Sequence, residues 1–175
     1  MKKLFFFLIF FIAQISVAQE VELENRGYVV KIGDTAPDFD FTLLSGEKSK
    51  LSLLRGKVVM MQFTASWCGV CRREMPHIEK DIWQKYKENP NFALIAFDRG
   101  EPLKTVEKFI EKTGVTYPFA LDKNGDIFAL FAEREAGITR NVIINPEGKI
   151  VFLTRLYNES EFAEMCGVIN KLLQN

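Results

Sequence analysis

The 175-residue chain is poor in the residues that build disulfide frameworks and metal centres: it has three cysteines and one histidine. A small domain stapled by disulfides uses more cysteines in a shorter chain, so that class of fold is excluded. Structural zinc takes four ligands, whereas Cys68, Cys71 and His77, with no second C-x-x-C motif, do not supply them. We therefore expect no bound metal, and the cysteine pair needs a chemical explanation.

The chain also lacks an excess of charge of either sign. Lys plus Arg and Asp plus Glu number 23 each, and the two signs are interspersed. This distribution offers no electrostatic footprint for nucleic acid. After the N-terminus, no apolar run approaches the roughly 20 residues that a membrane-spanning helix requires. We therefore expect no nucleic-acid partner. We also expect the protein to be a monomer.

The first 18 residues have the layout of a secretory signal peptide. Lys2 and Lys3 precede an apolar run from Leu4 to Ala13, and small residues lead up to Ala18. The alternative is an uncleaved membrane anchor, but the run is shorter than a spanning helix. We predict cleavage near Ala18 and a periplasmic or otherwise extracytoplasmic location. Residues 19–30 are then a lead-in segment, and residues 31–175 form one domain.

Hydrophobic patterning within this domain predicts strands that alternate with helices. Continuous apolar runs at Val58–Phe63 and Phe92–Asp98 are typical of strands buried on both faces of a sheet. Helical spacing follows each run, from about Cys68 to Glu88, with a kink at Pro76, and from Pro102 to Gly114. This alternation indicates an α/β fold with a mixed sheet covered by helices.

Shorter elements complete the pattern. Residues 39–43 and 51–54 predict a hairpin-like N-terminal extension, and residues 126–135 predict a short helix. The segment "NVIINPEGKIVFLTRL" predicts an antiparallel hairpin around the turn Asn145–Gly148. The chain closes with a helix, in which Asn158 and Glu161 have capping-box spacing.

The segment "SWCGVC" places Cys68 and Cys71 in the first turn of the first long helix. Their Cα atoms are then about 5 Å apart, within the roughly 4.4 to 6.8 Å that a disulfide tolerates. Helix-terminal N–H groups and the helix dipole stabilise a thiolate at Cys68, which makes it the nucleophile. Cys71 lies one turn deeper and is suited to resolve a mixed disulfide. Trp67 either forms an apolar wall beside the sulfur or packs in the core.

Four segments carry a family resemblance: "IGDTAPDF", "LRGKVVMMQFTASWCGVCRREMP", "YPFALD" and "GITRNVIINPEGKIV". In this order they resemble the thioredoxin superfamily, specifically its extracytoplasmic TlpA/ResA-like thiol:disulfide oxidoreductases, over about residues 30–173. The resemblance implies a thioredoxin-like fold, with a central mixed β-sheet flanked by helices, an N-terminal β-hairpin extension and a central insertion. It also implies that Cys68 and Cys71 form a redox-active disulfide and that no separate cofactor is needed.

Further expectations come from the same resemblance. Glu74 matches a glutamate that tunes thiol acidity in the family; the alternative is a solvated helix residue. The implied direction is reduction of protein disulfides. The implied partners are disulfide-containing client proteins, with cytochrome c maturation or general disulfide repair as the setting, and a membrane thiol electron donor.

The chain departs from the family pattern at two positions. Thr139 stands where a cis-proline is expected, and because a non-proline cis bond costs about 2.5 to 4 kcal/mol we predict a trans Ile138–Thr139 bond. Backbone groups around Thr139 could still pair with an extended client peptide. Gln62 stands where cytosolic thioredoxins have a buried Asp, so Glu74 or water has to handle the proton.

Three other functions compete with disulfide exchange. A copper chaperone would use both thiolates and His77, but it has few ligands. A peroxiredoxin-like peroxidase needs a threonine three residues before its reactive cysteine, and Ala65 occupies that position. A purely structural disulfide across so short a loop would add little stability. Cys166 lies on the apolar face of the last helix and is predicted to be a buried, inert thiol; regulation through a mixed disulfide is the alternative.

Overall fold

In a computed structural model of the protein, residues 26–174 are described, so the predicted signal peptide and residues 19–25 lie outside this range. Among the described residues no helix has both the length and the apolar character needed to cross a membrane. Within residues 26–174, seven strands form a separate hairpin and a five-stranded sheet. They are β1 (Asp40–Thr42), β2 (Lys48–Lys50), β3 (Val58–Thr64), β4 (Phe92–Arg99), β5 (Phe119–Asp122), β6 (Arg140–Ile144) and β7 (Ile150–Arg155).

The five-stranded sheet has the order β5-β4-β3-β6-β7 and is mixed. β3 lies at its centre, parallel to β4 and antiparallel to β6, and every residue of β3 is buried. β4 and β5 are parallel, whereas β6 and β7 are antiparallel. The predicted α/β class and mixed sheet are therefore confirmed. The continuous apolar run of β3 follows from its burial on both faces.

The N-terminal hairpin is present, but its predicted return strand at residues 51–54 is wrong. The return strand is β2, and Leu51–Leu54 forms a 3₁₀ helix. The Asp38 carboxylate accepts a hydrogen bond from the Ser52 backbone at 2.9 Å, and Leu51 turns into the core. The Leu51 backbone N–H still donates to the Phe39 carbonyl at 3.0 Å, and the 3₁₀ helix starts at this residue. On the other strand, Phe41 packs edge-on against Phe97 of β4 at 5.5 Å between ring centroids.

The first long helix follows β3 and carries the cysteine pair. Its α-helical part, α1, spans Gly69–His77, continues as a π-helix over Ile78–Trp83 and ends with Gln84–Tyr86. The predicted kink site, Pro76, lies two residues before the π-helical segment that starts at Ile78. Because proline has no N–H group, it cannot make the regular bond to the preceding turn.

Three more helices are described: α2 (Leu103–Thr113), α3 (Asp126–Ala129) and α4 (Glu159–Gln174). Gly114 ends α2 in the left-handed conformation at φ 68°. α3 is shorter than the predicted 126–135, because the chain beyond it turns back and Ala132 pairs with Tyr28. At the start of α4, the Asn158 side chain accepts from the Glu161 backbone at 3.1 Å.

The end of the lead-in segment packs against the domain. The side chain of Tyr28 is buried, and its hydroxyl donates to the Thr154 carbonyl of β7. Arg26 pairs with the Glu161 carboxylate of α4. These contacts attach residues 26–28 to the sheet edge and to the last helix.

Candidate active site

The cysteine pair sits where the central strand β3 meets α1. Cys68 is the N-cap residue of α1, and Cys71 lies in its first turn. The two residues form a disulfide with Cα atoms 5.3 Å apart. Cys68 is 7% exposed and Cys71 is fully buried. Cys68 is thus the more accessible of the two cysteines.

Two hydrogen-bond donors lie beside the Cys68 sulfur. The Cys71 backbone N–H donates to it at 3.1 Å, as the helix N-terminus predicts. The Thr139 hydroxyl oxygen lies 3.1 Å from Cys68 Sγ and 3.3 Å from Cys71 Sγ. Thr139 lies just before β6, whose pairing with β3 places its hydroxyl over the disulfide.

The backbone at Thr139 differs in part from the expected docking edge. The described residues contain no cis peptide bond, so the predicted trans Ile138–Thr139 bond is confirmed. The Thr139 carbonyl, however, accepts a hydrogen bond from the Leu156 backbone at 3.1 Å. That carbonyl is already paired within the protein, because β6 and β7 continue their antiparallel approach past Arg140. Ile138 is buried beside it.

Glu74 lies on the inner side of α1, one turn beyond Cys71. It is only 1% exposed, so the solvated-helix alternative is wrong. One carboxylate oxygen accepts from Asn141 Nδ2 of β6 at 2.7 Å, and the other from Gln62 Nε2 of β3 at 3.5 Å. The Tyr117 hydroxyl in turn donates to Gln62 Oε1 at 2.9 Å. The result is a hydrogen-bonded polar cluster beneath the cysteine pair.

Burial raises the pKa of Glu74 to about 7, and the hydrogen bonds from Asn141 and Gln62 limit the rise. A carboxyl with this pKa can accept or release a proton at neutral pH. Gln62 cannot titrate, but it orients Glu74. Sequence reasoning missed Asn141 and Tyr117; for Asn141 the available signal was an asparagine directly before the apolar run Val142–Ile144 of β6.

Trp67 projects from the segment that leads into the pair. It is 59% exposed, so the alternative of core packing is wrong. The preceding residue, Ser66, is held from two sides. Its backbone N–H and hydroxyl donate to the Glu101 carboxylate at 2.5 and 2.6 Å, and its carbonyl accepts from Arg72 at 2.5 Å. These contacts fix the approach of the chain to Cys68.

Asp98 is a second buried carboxyl that sequence reasoning missed. It is the penultimate residue of β4, lies beside Thr64 of β3 and has no exposed surface. Neither of its oxygens has a hydrogen-bond partner among the described residues. Burial, together with the neighbouring Glu101 carboxyl, raises the pKa of Asp98 to about 8. An acidic residue at the end of an apolar strand was the only sequence signal.

The other candidate residues lie away from the disulfide or do not form a metal site. The His77 ring stacks on Tyr157 at 5.1 Å between centroids. Within residues 26–174 no three His, Cys, Asp or Glu side chains are placed to hold a metal ion. Cys166 is half-buried rather than buried, because it lies at the margin of the helix face that packs on the core. Burial nevertheless raises the pKa of its thiol to about 11.

The Cys-x-x-Cys pair lies at the start of the helix that follows the central strand of the sheet. This arrangement defines a thioredoxin-like thiol:disulfide oxidoreductase. The chain belongs to the Redoxin family, whose sequence profile matches residues 31–169.

Relatives and solved structures agree with this assignment. The thiol-disulfide oxidoreductase ResA of Geobacillus kaustophilus is 36% identical over 121 residues, covering 69% of this chain and 67% of that protein. ResA of Halalkalibacterium halodurans is 32% identical over 154 residues, covering 86% and 85%. A candidate protein disulfide isomerase from Bacteroides thetaiotaomicron is 64% identical with a TM-score of 0.83, covering 85% of this chain and 94% of that chain. A candidate interchange protein DsbE from Chlorobium tepidum is 27% identical with a TM-score of 0.72, covering 82% and 99%.

Proposed function

We propose that the protein reduces disulfides of client proteins outside the cytoplasm and is itself re-reduced by a membrane thiol donor. The observation that carries the proposal is the asymmetry of the pair: Cys68 caps a helix and accepts an N–H bond, whereas Cys71 is fully buried. The reducing direction rests on the resemblance to ResA-like proteins. A dithiol that works as a reductant in an oxidising compartment needs a source of electrons, which is why the donor is part of the proposal.

The exchange starts with attack by the Cys68 thiolate on a client disulfide. A bond forms between Cys68 Sγ and one client sulfur, the client S–S bond breaks, and the other client sulfur leaves as a thiolate that takes up a proton. Cys71 then loses its proton and attacks Cys68 Sγ. This forms the Cys68–Cys71 disulfide and breaks the bond between Cys68 Sγ and the client, whose second sulfur leaves as a thiolate and takes up a proton. The client gains two electrons and the protein loses two.

We assign to Glu74 the role of accepting the proton that Cys71 loses. It lies one turn further along the same helix face, is buried, and has a pKa raised by burial to about 7. The hydrogen bonds from Asn141 and Gln62 hold its carboxylate in place for that role. In the return reaction, the same carboxyl hands back a proton when the donor opens the disulfide.

Trapping of clients tests the proposed exchange. We expect the Cys71→Ser variant to accumulate mixed disulfides through Cys68, because the resolving thiol is missing. The Cys68→Ser variant should trap nothing, and it is the matched control. Trapped proteins that take part in cytochrome c maturation would identify that process as the client pathway; a varied set would indicate general disulfide repair. Equal trapping by both variants would contradict the assignment of Cys68 as nucleophile.

The reduction potential tests the direction. We expect a value of roughly −250 mV or lower against a glutathione or dithiothreitol series, near the thioredoxin end of the range. The exposed Trp67 beside the pair is a suitable fluorescence reporter. A value near roughly −120 mV would overturn the reducing direction. The location is tested separately, by finding whether the exported protein begins at Gln19.

A further inference from the structure

The Thr139 hydroxyl lies between the two sulfurs of the pair. Its Oγ1 is 3.1 Å from Cys68 Sγ and 3.3 Å from Cys71 Sγ. In the oxidised protein neither sulfur carries a proton, so the hydroxyl is the donor in both contacts. The side chain is 2% exposed, and a buried hydroxyl normally keeps a hydrogen-bond partner.

Hydrogen bonds of Thr139 and of its neighbour Arg140 hold the backbone that carries this hydroxyl. The Thr139 carbonyl accepts from the Leu156 backbone at 3.1 Å. The next side chain, Arg140, is buried and donates to the carbonyls of Gly137 and Arg26 at 3.1 and 2.8 Å. The hydroxyl therefore does not depend on a mobile loop for its place over the sulfurs.

A buried thiolate needs donors, because an anion without hydrogen bonds is costly in an apolar surrounding. Cys68 Sγ has one backbone donor, the N–H of Cys71 at 3.1 Å. The only side-chain donor that the described residues place within hydrogen-bond distance of it is Thr139. The same donor also reaches Cys71 Sγ, which has to become a thiolate in the second step of the exchange.

We propose that Thr139 is a catalytic residue whose hydroxyl donates in turn to the two cysteines. In the reduced protein it stabilises the Cys68 thiolate. After Cys68 has formed a mixed disulfide with a client, it stabilises the attacking Cys71 thiolate. The two sulfur distances differ by only 0.2 Å, so a rotation of the O–H bond is sufficient for the change of partner. No covalent bond to Thr139 forms or breaks, and the electrons follow the exchange described above. This inference rests on the proposed function and assigns a residue within it.

The consequence is a shift of the thiol–disulfide equilibrium. A hydrogen bond to the thiolate stabilises the reduced form relative to the disulfide, in which the sulfurs are weak acceptors. Thr139 therefore makes the pair easier to reduce than it would be without the hydroxyl. It also increases the thiolate fraction of Cys68.

The test compares Thr139→Val, which keeps the shape and removes the hydroxyl, with Thr139→Ser, which keeps the hydroxyl. We expect Val to raise the pKa of Cys68 by about 1, followed through the ultraviolet absorbance of the thiolate. Val should also shift the glutathione equilibrium about tenfold towards the disulfide, which is a potential about 30 mV more negative. Ser should stay within about twofold of the original protein in both measurements.

Thr64→Val is the matched control, because it removes another buried hydroxyl at the same end of the sheet. The Thr64 hydroxyl contacts Met75 Sδ at 3.8 Å. This variant should leave both values unchanged. If Thr139→Val misfolds, Thr139→Ala removes the hydroxyl without adding a methyl group and must shift both values in the same direction.

Two results would overturn the inference: values for the variants without a hydroxyl that equal those of the original protein, or a Ser variant that shifts as far as Val. Neither measurement needs a client protein. A protein that reduces no client would refute the proposed function and leave the role of Thr139 open to this test.

Discussion

Two buried carboxyls, Glu74 on α1 and Asp98 on β4, differ in what surrounds them. Glu74, beneath the cysteine pair, receives amide hydrogen bonds from Asn141 and Gln62. Asp98, at the end of β4, receives none from the described residues and has Glu101 as a neighbour. Burial is the main cause of a raised pKa in both, to about 7 for Glu74 and about 8 for Asp98. The usual values are 4.5 and 3.8, so the rise is larger where donors are missing.

This comparison shows that burial alone does not decide where a carboxyl titrates. Hydrogen bonds from two amide donors limit the rise and keep the pKa of Glu74 at about 7. The neighbouring Glu101 carboxyl has the opposite effect on Asp98, because it adds to the rise of the pKa. In both cases the pKa in the folded state lies above that in the unfolded state. The stability that each carboxyl contributes is therefore complete at about pH 4 and below, and is lost as pH rises through about 7 for Glu74 and about 8 for Asp98.

The largest effect is expected from Asp98→Asn, which removes the ionisation that costs the folded state stability. A pKa of about 8 in the folded state, against 3.8, corresponds to about 4 kcal/mol at pH 7. The free energy of unfolding of the variant should therefore rise relative to that of the original protein by about this amount between pH 4 and pH 7. Urea unfolding at the two pH values measures it. Asp81→Asn, at an exposed position, is the control, and parallel pH profiles for all three proteins would contradict the expectation.

A smaller effect is expected from Asn141→Leu, which makes Glu74 resemble Asp98. Loss of the 2.7 Å hydrogen bond removes a donor to a charged group, which is worth about 1.5 to 3 kcal/mol. The pKa of Glu74 should rise above 7, as followed by NMR titration of its carboxyl carbon.

Thr154→Val separates this effect from a general change in the sheet. Thr154 accepts hydrogen bonds from the backbone and side chain of Asn141, and no such bond joins it to Glu74. We expect its loss to leave the titration of Glu74 nearly unchanged. If Thr154→Val moved the pKa of Glu74 as far as Asn141→Leu does, the amide would not be the group that controls it.

The smallest effect is expected from Glu101→Gln, which makes Asp98 resemble Glu74. The neighbouring negative charge disappears, so the pKa of Asp98 should fall, yet stay above 3.8 because burial remains the main cause. We expect a change of about 1 kcal/mol or less in the pH-dependent part of stability. Glu107→Gln on the exposed face of α2 is the control. A pKa of Asp98 that stays at about 8 would mean that burial acts alone.

Much of the fold was predictable from local patterns. The buried strands β3 and β4, the limits of α2 and the closing hairpin follow from apolar runs and turn residues, because those signals lie within one short segment. The return strand of the first hairpin was not predictable in detail. Whether Leu51 continues a strand or turns into the core depends on the space beneath it and on the Asp38 carboxylate that accepts from Ser52.

The candidate site likewise has features that were predictable from the sequence and features that were not. The spacing of Cys68 and Cys71 and their place at the start of a helix can be read from the chain, because both residues belong to one turn. The neighbourhood of Glu74 cannot be read from the chain, since Gln62, Asn141 and Tyr117 come from three other segments. The family resemblance indicated that Glu74 matters, whereas its burial decided that it is not a solvated helix residue.

By itself, then, the sequence determined the α/β class, the central buried strand and a cysteine pair able to close at a helix N-terminus, since each depends on residues near one another in the chain. Only the tertiary structure decided that the Thr139 hydroxyl lies over both sulfurs, that Glu74 has amide donors and that Asp98 has none. The physical reason is that hydrogen bonds and desolvation depend on distances across the sheet. Those distances follow from the pairing of β3 with β4 and β6, which joins residues far apart in the chain.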